Sequence, residues 1–150
     1  MTVRNERGAP RLPFFVYGTL RPGGPNHAAY LRGRTASEEP AHLPDAVLYD
    51  GPGYPYAVEA PGEGPVRGEL VTALPAAYDR LLAALDILEE YVPGDPRNLY
   101  ERIARDVTRA DGTAVRAWVY VAAPRPAAGL RASGSVIGGG DWTTHRLKTR

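Results

Sequence analysis

One long stretch of the chain keeps a helical period, and that limits the folds open to it. Residues 75–91 read PAAYDRLLAALDILEEY. Pro75 suits the first position of a helix, where its missing N–H costs nothing. Tyr78, Leu81, Leu82, Leu85, Leu88 and Val92 then recur at the spacing of one helix face, and Pro93-Gly94 is expected to stop the helix. Elsewhere 17 glycines and 15 prolines punctuate the chain. Between them lie short runs that read as strands: 14–17, 47–49, 56–59, 66–72, 99–108 and 113–122. Residues 27–31 suit a short helical turn, and 51–55 (GPGYP) a turn between strands. Asp111-Gly112 signals a tight hairpin between the last two strands. Strands precede and follow the helix without βαβ alternation. The expected class is therefore α+β, a mixed, curved or barrel-like sheet with one main helix.

A chain of 150 residues suggests one domain. With 43% apolar residues it can bury a real core. The expected organisation is a flexible lead-in over 1–11, a folded domain over 12–123 and a C-terminal extension over 124–150. In that extension, 124–129 leaves the sheet, 133–140 is loop-like and Asp141-Trp142 can pin the tail back onto the domain. The basic residues 145–150 read as a solvated tail.

Several function classes find no support. Eighteen basic residues face seventeen acidic ones, a net charge of +1, too little imbalance to suggest a nucleic-acid partner. No window approaches ~18 consecutive apolar residues, so no membrane partner is expected. There is no cysteine, which removes disulfides, thiolate nucleophiles and Cys-based zinc sites. With no apolar signal core near the start, the expected location is cytoplasmic. His27, His42 and His145 are far apart and unaccompanied, so no metal is expected. Oligomeric state is not legible.

Familiar glycine motifs also fail. The tract from Gly18 to Gly24 lacks the Lys and hydroxyl residue that a phosphate loop needs, since Gly24 is followed by Pro25. No tract has the Gly-x-Gly-x-x-Gly spacing. Neither serine of Ser133-Gly134-Ser135 sits in a Gly-x-Ser-x-Gly elbow.

The informative residue is Glu89. At about 100° per residue, with Tyr78 at zero, Leu82 projects near ~40°, Leu85 near ~340° and Glu89 near ~20°. Glu89 thus falls within the apolar stripe, whereas Asp86 at ~80° and Glu90 at ~120° fall on its flank or outside it. Such a carboxylate has three fates. It can snorkel at the helix end, pair with Arg102 or Arg105 of the next strand, or line a pocket that interrupts the core. In the third case desolvation raises its pKa, as suits a general base that later acts as an acid.

A second feature is the run FFVYGTLRPGGPNH from Phe14 to His27. An apolar strand stops at Tyr17 and gives way to Gly18, Thr19 and Leu20. Gly18 can simply permit a turn with positive φ. Alternatively, N–H groups beyond the strand end have no ladder partner and are free to hold an anion or oxyanion.

Phe15-Val16-Tyr17-Gly18-Thr19-Leu20, with Arg21, Gly23, Gly24, Asn26 and His27 after it, resembles the signature loop of the γ-glutamylcyclotransferase-like family. The resemblance continues through Leu48-Tyr49-Asp50, Gly53-Tyr54-Pro55, Val66-Arg67-Gly68-Glu69-Leu70 and Leu85-Asp86-Ile87-Leu88-Glu89 with Tyr91. It then takes in Leu99-Tyr100-Glu101-Arg102 and Ala117-Trp118-Val119-Tyr120-Val121. It implies a small mixed β-barrel flanked by helices, with neither metal nor organic cofactor. It implies an enzyme that releases 5-oxoproline from a γ-glutamyl amine or amide, the substrate's own α-amino group attacking its γ-carbonyl. By matching position Glu89 would be the general base and acid. The loop Tyr17, Gly18, Thr19, Leu20 would offer backbone N–H groups to the substrate, and Tyr54 and Tyr100 would wall the pocket. The alternative is a binding or interaction module of the same fold that holds a γ-glutamyl ligand without turnover. Two departures bear on substrate identity. Glu90 stands where many relatives have Gly, and 93–98 separates Tyr91 from Tyr100 more widely than in a compact relative.

Overall fold

The apolar run that ends at Tyr17 is a strand buried on both faces. It is seen in a computed structural model that describes residues 11–148. Most of the expected lead-in, 1–11, lies outside the described residues. Strand β1 (Phe14–Val16) alternates its side chains between two core clusters, with Phe14 and Val16 in one and Phe15 in the other. A strand buried on both sides needs no polar residue, which is why this run is continuously apolar.

The short helix α1 (His27–Tyr30) follows, and then β2 (Thr35–Leu43), β3 (Ala46–Tyr49), β4 (Tyr56–Glu59) and β5 (Val66–Ala73). After the main helix come β6 (Tyr100–Arg109) and β7 (Ala114–Ala122). Five strands close a barrel in the order β1-β5-β2-β6-β7, while β3 and β4 form a separate two-stranded sheet. The β1–β5 pairing is antiparallel, Phe15 opposite Leu70. The barrel closes by a parallel contact of β1 with β7, Phe14 opposite Trp118, so the sheet is mixed. The expected hairpin at Asp111-Gly112 joins β6 to β7, with Gly112 at φ 87° and Thr113 N–H donating to Asp111 Oδ1 at 2.9 Å.

Strand β2 has no clear signature in the sequence: TASEEPAHL is mostly polar and contains a proline. The ladder explains it. Thr35–Leu43 pairs along β5, but β6 joins only at Ala41 and His42. Pro40 lies just outside that second ladder, where a missing N–H goes unneeded.

The helical stretch begins with one 3-10 turn, Pro75–Ala77, and continues as α2 (Tyr78–Leu88). Tyr78, Leu81 and Leu85 are buried and Leu82 and Leu88 pack against the same cluster, while Ile87 faces out. The helix is shorter than its apolar period suggests. Glu89 is its C-cap, and Glu90 takes the left-handed conformation at φ 53°. Tyr91 N–H reaches back to Asp86 O at 2.8 Å and Glu90 N–H to Ile87 O at 3.0 Å. This pair of bonds is a Schellman stop, which ordinarily places glycine at the left-handed position. Val92, expected on the buried face, lies beyond the stop and is exposed.

Beyond the barrel, residues 124–129 do leave the sheet, as the start of helix α3 (Pro124–Ser133). The basic stretch expected to be a solvated tail instead belongs, through Lys148, to helix α4 (Trp142–Lys148). Trp142 anchors this helix in the second core cluster, beside Ile137 and Val66. Among the described residues, no helix is long and apolar enough to cross a membrane.

Candidate active site

The loop after β1 is held from several directions. Gly18 is not there for a positive φ. A Cβ at this position would lie 2.9 Å from the Pro55 ring, so the residue is small because β1 and the 51–55 turn converge. Leu20 is buried in the core and fixes the loop from below. Asn26 closes it, its side chain donating to Thr19 Oγ1 at 2.9 Å and its N–H to Thr19 O at 3.0 Å. Arg21 holds the outer side. Its Nε and Nη2 donate to Glu69 at 2.8 and 3.2 Å, and Nη1 donates to Asp141 Oδ1 at 2.9 Å. Asp141 also accepts Thr144 N–H at 3.0 Å, so the start of α4 and the loop share one carboxylate. Among the described residues, the N–H groups of Gly18, Thr19 and Leu20 have no acceptor within the protein.

This loop and the end of α2 border the same cavity. An inner chamber of about 50 Å³ is lined by Tyr17, Gly18, Thr19, Leu20, Tyr54, Glu89 and Tyr100, together with Phe15, Val16, Pro55 and Tyr120. Every residue singled out as a candidate in the sequence thus lines one chamber. An outer chamber of about 150 Å³ shares Thr19, Tyr54, Glu89 and Tyr100 with it and adds Asn26, Leu88, Glu90 and Leu99.

Of the three fates open to Glu89, ion pairing is ruled out for the expected partners. Arg102 donates instead to Asp86, at 2.9 and 3.4 Å, and Arg105 to Glu59, at 2.8 and 3.0 Å. Among the described residues, no basic side chain pairs with Glu89. Burial without a countercharge pushes its pKa up from 4.5 to about 7. Glu90 also differs from its helical projection. Because its backbone has left the helix, it borders the outer chamber rather than pointing away.

Tyr17 and Tyr100 are walls whose hydroxyls are already bonded to the protein. Tyr17 OH donates to Tyr120 O and accepts Ala57 N–H at 3.2 Å. Tyr100 OH donates to Pro55 O at 2.7 Å. Burial raises the pKa of both, so they stay neutral. Tyr100 stacks on Tyr56 at 4.7 Å between ring centroids, and Tyr54 meets both rings at 5.7 and 6.3 Å.

Three residues of this region escape sequence reasoning. Tyr120 lines the inner chamber and donates to Asp86 Oδ1 at 2.6 Å. Its alternation along β7 marks it only as a strand residue. Asp86 looks like a flanking surface acid, and its partners come from two other strands. Asn98 is buried and ties off the 93–98 insert, donating to Val92 O at 2.7 Å and accepting Val92 N–H at 3.0 Å. Among the described residues, no group of three His, Asp or Glu side chains could hold a metal ion.

A closed barrel thus sets a carboxylate without a basic partner against a loop of backbone donors, among the described residues. Comparison with known proteins supplies the family. Residues 14–144 match the model of the family described as gamma-glutamyl cyclotransferase, AIG2-like, and the chain belongs to that family. The match runs past 121, where the resemblance legible in the sequence ends. The gamma-L-glutamyl-butirosin B gamma-glutamyl cyclotransferase of Niallia circulans is 36% identical over 109 residues, which cover 71% of this chain and 64% of that protein. The chain thus spans just under two thirds of that relative. An AIG2-like protein of Mus musculus superposes with a TM-score of 0.60 at 27% identity, covering 76% of this chain and 80% of the mouse one. An uncharacterized protein of Pyrococcus horikoshii shares the fold at 24% identity and a TM-score of 0.61, covering 92% and 95% of the two chains.

Proposed function

We propose that the protein is a cyclotransferase that releases 5-oxoproline from a γ-glutamyl amine or amide. The observation that carries this reading is Glu89, a half-buried carboxyl group with no basic partner among the described residues, in the chamber bordered by the Gly18–Thr19–Leu20 backbone. Family membership supports the reaction class.

In the proposed reaction the carboxylate of Glu89 takes a proton from the substrate's α-ammonium group. The freed nitrogen attacks the γ-carbonyl carbon and a C–N bond closes the five-membered ring. Negative charge gathers on the carbonyl oxygen, where the unpaired N–H groups of the loop are suited to receive it. The carbonyl re-forms as the bond to the departing nitrogen breaks and Glu89 returns the proton to it, and the surplus proton on the ring nitrogen leaves with the released amine as its ammonium. One carboxyl group with a pKa near the working pH can serve both transfers. Since the nucleophile is part of the substrate, the ring closure is intramolecular and asks the protein for neither Ser nor Cys. Tyr17, Tyr54 and Tyr100 shape and dry the chamber.

The test is direct. Purified protein is incubated with a panel of γ-glutamyl amines and amides, and 5-oxoproline is followed by mass spectrometry. Release by the parent and its loss in Glu89→Gln are expected. A variant as fast as the parent would refute the role of Glu89. Ligand binding without product from any compound would favour the binding-module reading.

A further inference from the structure

The two chambers differ in what they can recognise. The inner one is bordered by the Gly18–Leu20 backbone, by Tyr17 and Tyr100 with their hydroxyls already bonded, and by one carboxyl group, Glu89. The outer one is lined by Leu88 and Leu99, by the rings of Tyr54 and Tyr100, by Thr19 and Asn26, and by two neighbouring carboxyl groups, Glu89 and Glu90. No basic residue lines either chamber among the described residues. The nearest arginines along the chain are already engaged, Arg97 by Asp95 and Arg102 by Asp86. Glu89 lines both chambers, so in the cyclotransferase reading the outer chamber is the space open to the departing nitrogen's substituent.

We infer that the outer chamber selects a leaving amine that carries a second positive charge beyond a short apolar spacer, with Glu90 as the specificity-determining carboxylate. This rests on the cyclotransferase reading of the inner chamber. The apolar walls fit a methylene spacer. Aromatic faces attract a cation, and Glu90 offers it a counterion at the rim. A leaving group that ends in a carboxylate would meet Glu90 as a like charge and be disfavoured. The left-handed backbone at Glu90 brings this residue to the chamber, so the charge sits where a glycine would leave none.

Three substrates of matched length test the inference. They are the γ-glutamyl amides of 1,4-diaminobutane, butylamine and 4-aminobutanoate, whose chains end in an ammonium, a methyl and a carboxylate. An exposed ion pair predicts steps of about three- to fivefold in kcat/KM, falling from cation to neutral to anion and shrinking at high salt. In Glu90→Gln and Glu90→Gly the three values should converge. The glycine variant relieves the backbone and the glutamine variant keeps the side-chain shape, so agreement between them isolates the charge. The three compounds are also titrated calorimetrically against Glu89→Gln, where the same order should appear in affinity. That arm separates the two readings. No 5-oxoproline from any compound would sink the cyclotransferase reading, while the affinity order still decides the selectivity. Equal values for the three compounds, or an order that survives both Glu90 variants, would overturn the inference.

Discussion

Asp86 and Glu89 stand less than one turn apart at the end of the same helix, yet the barrel treats them in opposite ways. Asp86 receives Arg102 and the Tyr120 hydroxyl. Arg102 in turn lies over the Trp118 ring at 4.5 Å and the Tyr91 ring at 5.4 Å. Every group in that cluster has a partner. Glu89, at the helix end, lines the chamber and has no basic partner among the described residues. A paired acid contributes to structure. A buried acid without a partner costs stability and gains a pKa suited to proton transfer. In the proposed reaction the pair therefore separates what holds the site from what acts in it.

The sharpest way to break that division is at Glu89. Glu89→Gln should lower 5-oxoproline release by about 10²–10⁴-fold, the usual span for a lost acid–base group. Its circular dichroism and melting should show a folded protein. Next in size is the pH dependence. Glu89 is raised in the folded state, so between pH 4.5 and about 7 the folded protein holds a proton that the unfolded chain has released. Its contribution to stability is full below the unfolded pKa and is lost as pH rises through about 7, a fall of about 3 kcal/mol. Denaturant titrations across that range should show the decline in the parent and not in Glu89→Gln. The rate should run the other way, kcat/KM rising with pH through about 7 as the carboxylate forms.

Asp86→Asn tests the opposite side. Removing the charge that faces Arg102 should cost about 1–3 kcal/mol in chemical denaturation, with turnover reduced far less than by Glu89→Gln. Loss of turnover at unchanged stability would break the comparison. The smallest effect concerns the third acid of the run. Glu90 pays for a left-handed backbone at φ 53°. Glu90→Gly should therefore stabilise the fold by about 1 kcal/mol, read as a rise of a few degrees in Tm.

How much of this is legible without coordinates follows from what each residue's neighbours are. The helix face, the six strand candidates and the hairpin turn are local patterns, and they survive folding with shifted ends. Glu89 is legible because a charge at an apolar position contradicts its own helix. Strand β2 is not, because a polar run such as TASEEPAHL becomes a strand only through its partner β5. Asp86 and Tyr120 are not, because each is ordinary in its own segment and acquires its role from residues 34 positions away. The helix end misleads for a related reason. The apolar period runs on past Leu88, but the Schellman bonds stop the backbone there and turn Glu90 toward the cavity.

The Arg21 clamp also has a consequence for how the protein is made. Its two carboxylate partners lie 48 and 120 residues downstream. At about 5–20 residues per second, a ribosome adds Asp141 roughly 6–24 s after Arg21. During that interval the segment that becomes β1 and its glycine loop has been made, but the loop lacks its last anchor. The clamp on this loop is thus completed only after Asp141 is added, when the strands of the barrel, which end at Ala122, have already been made.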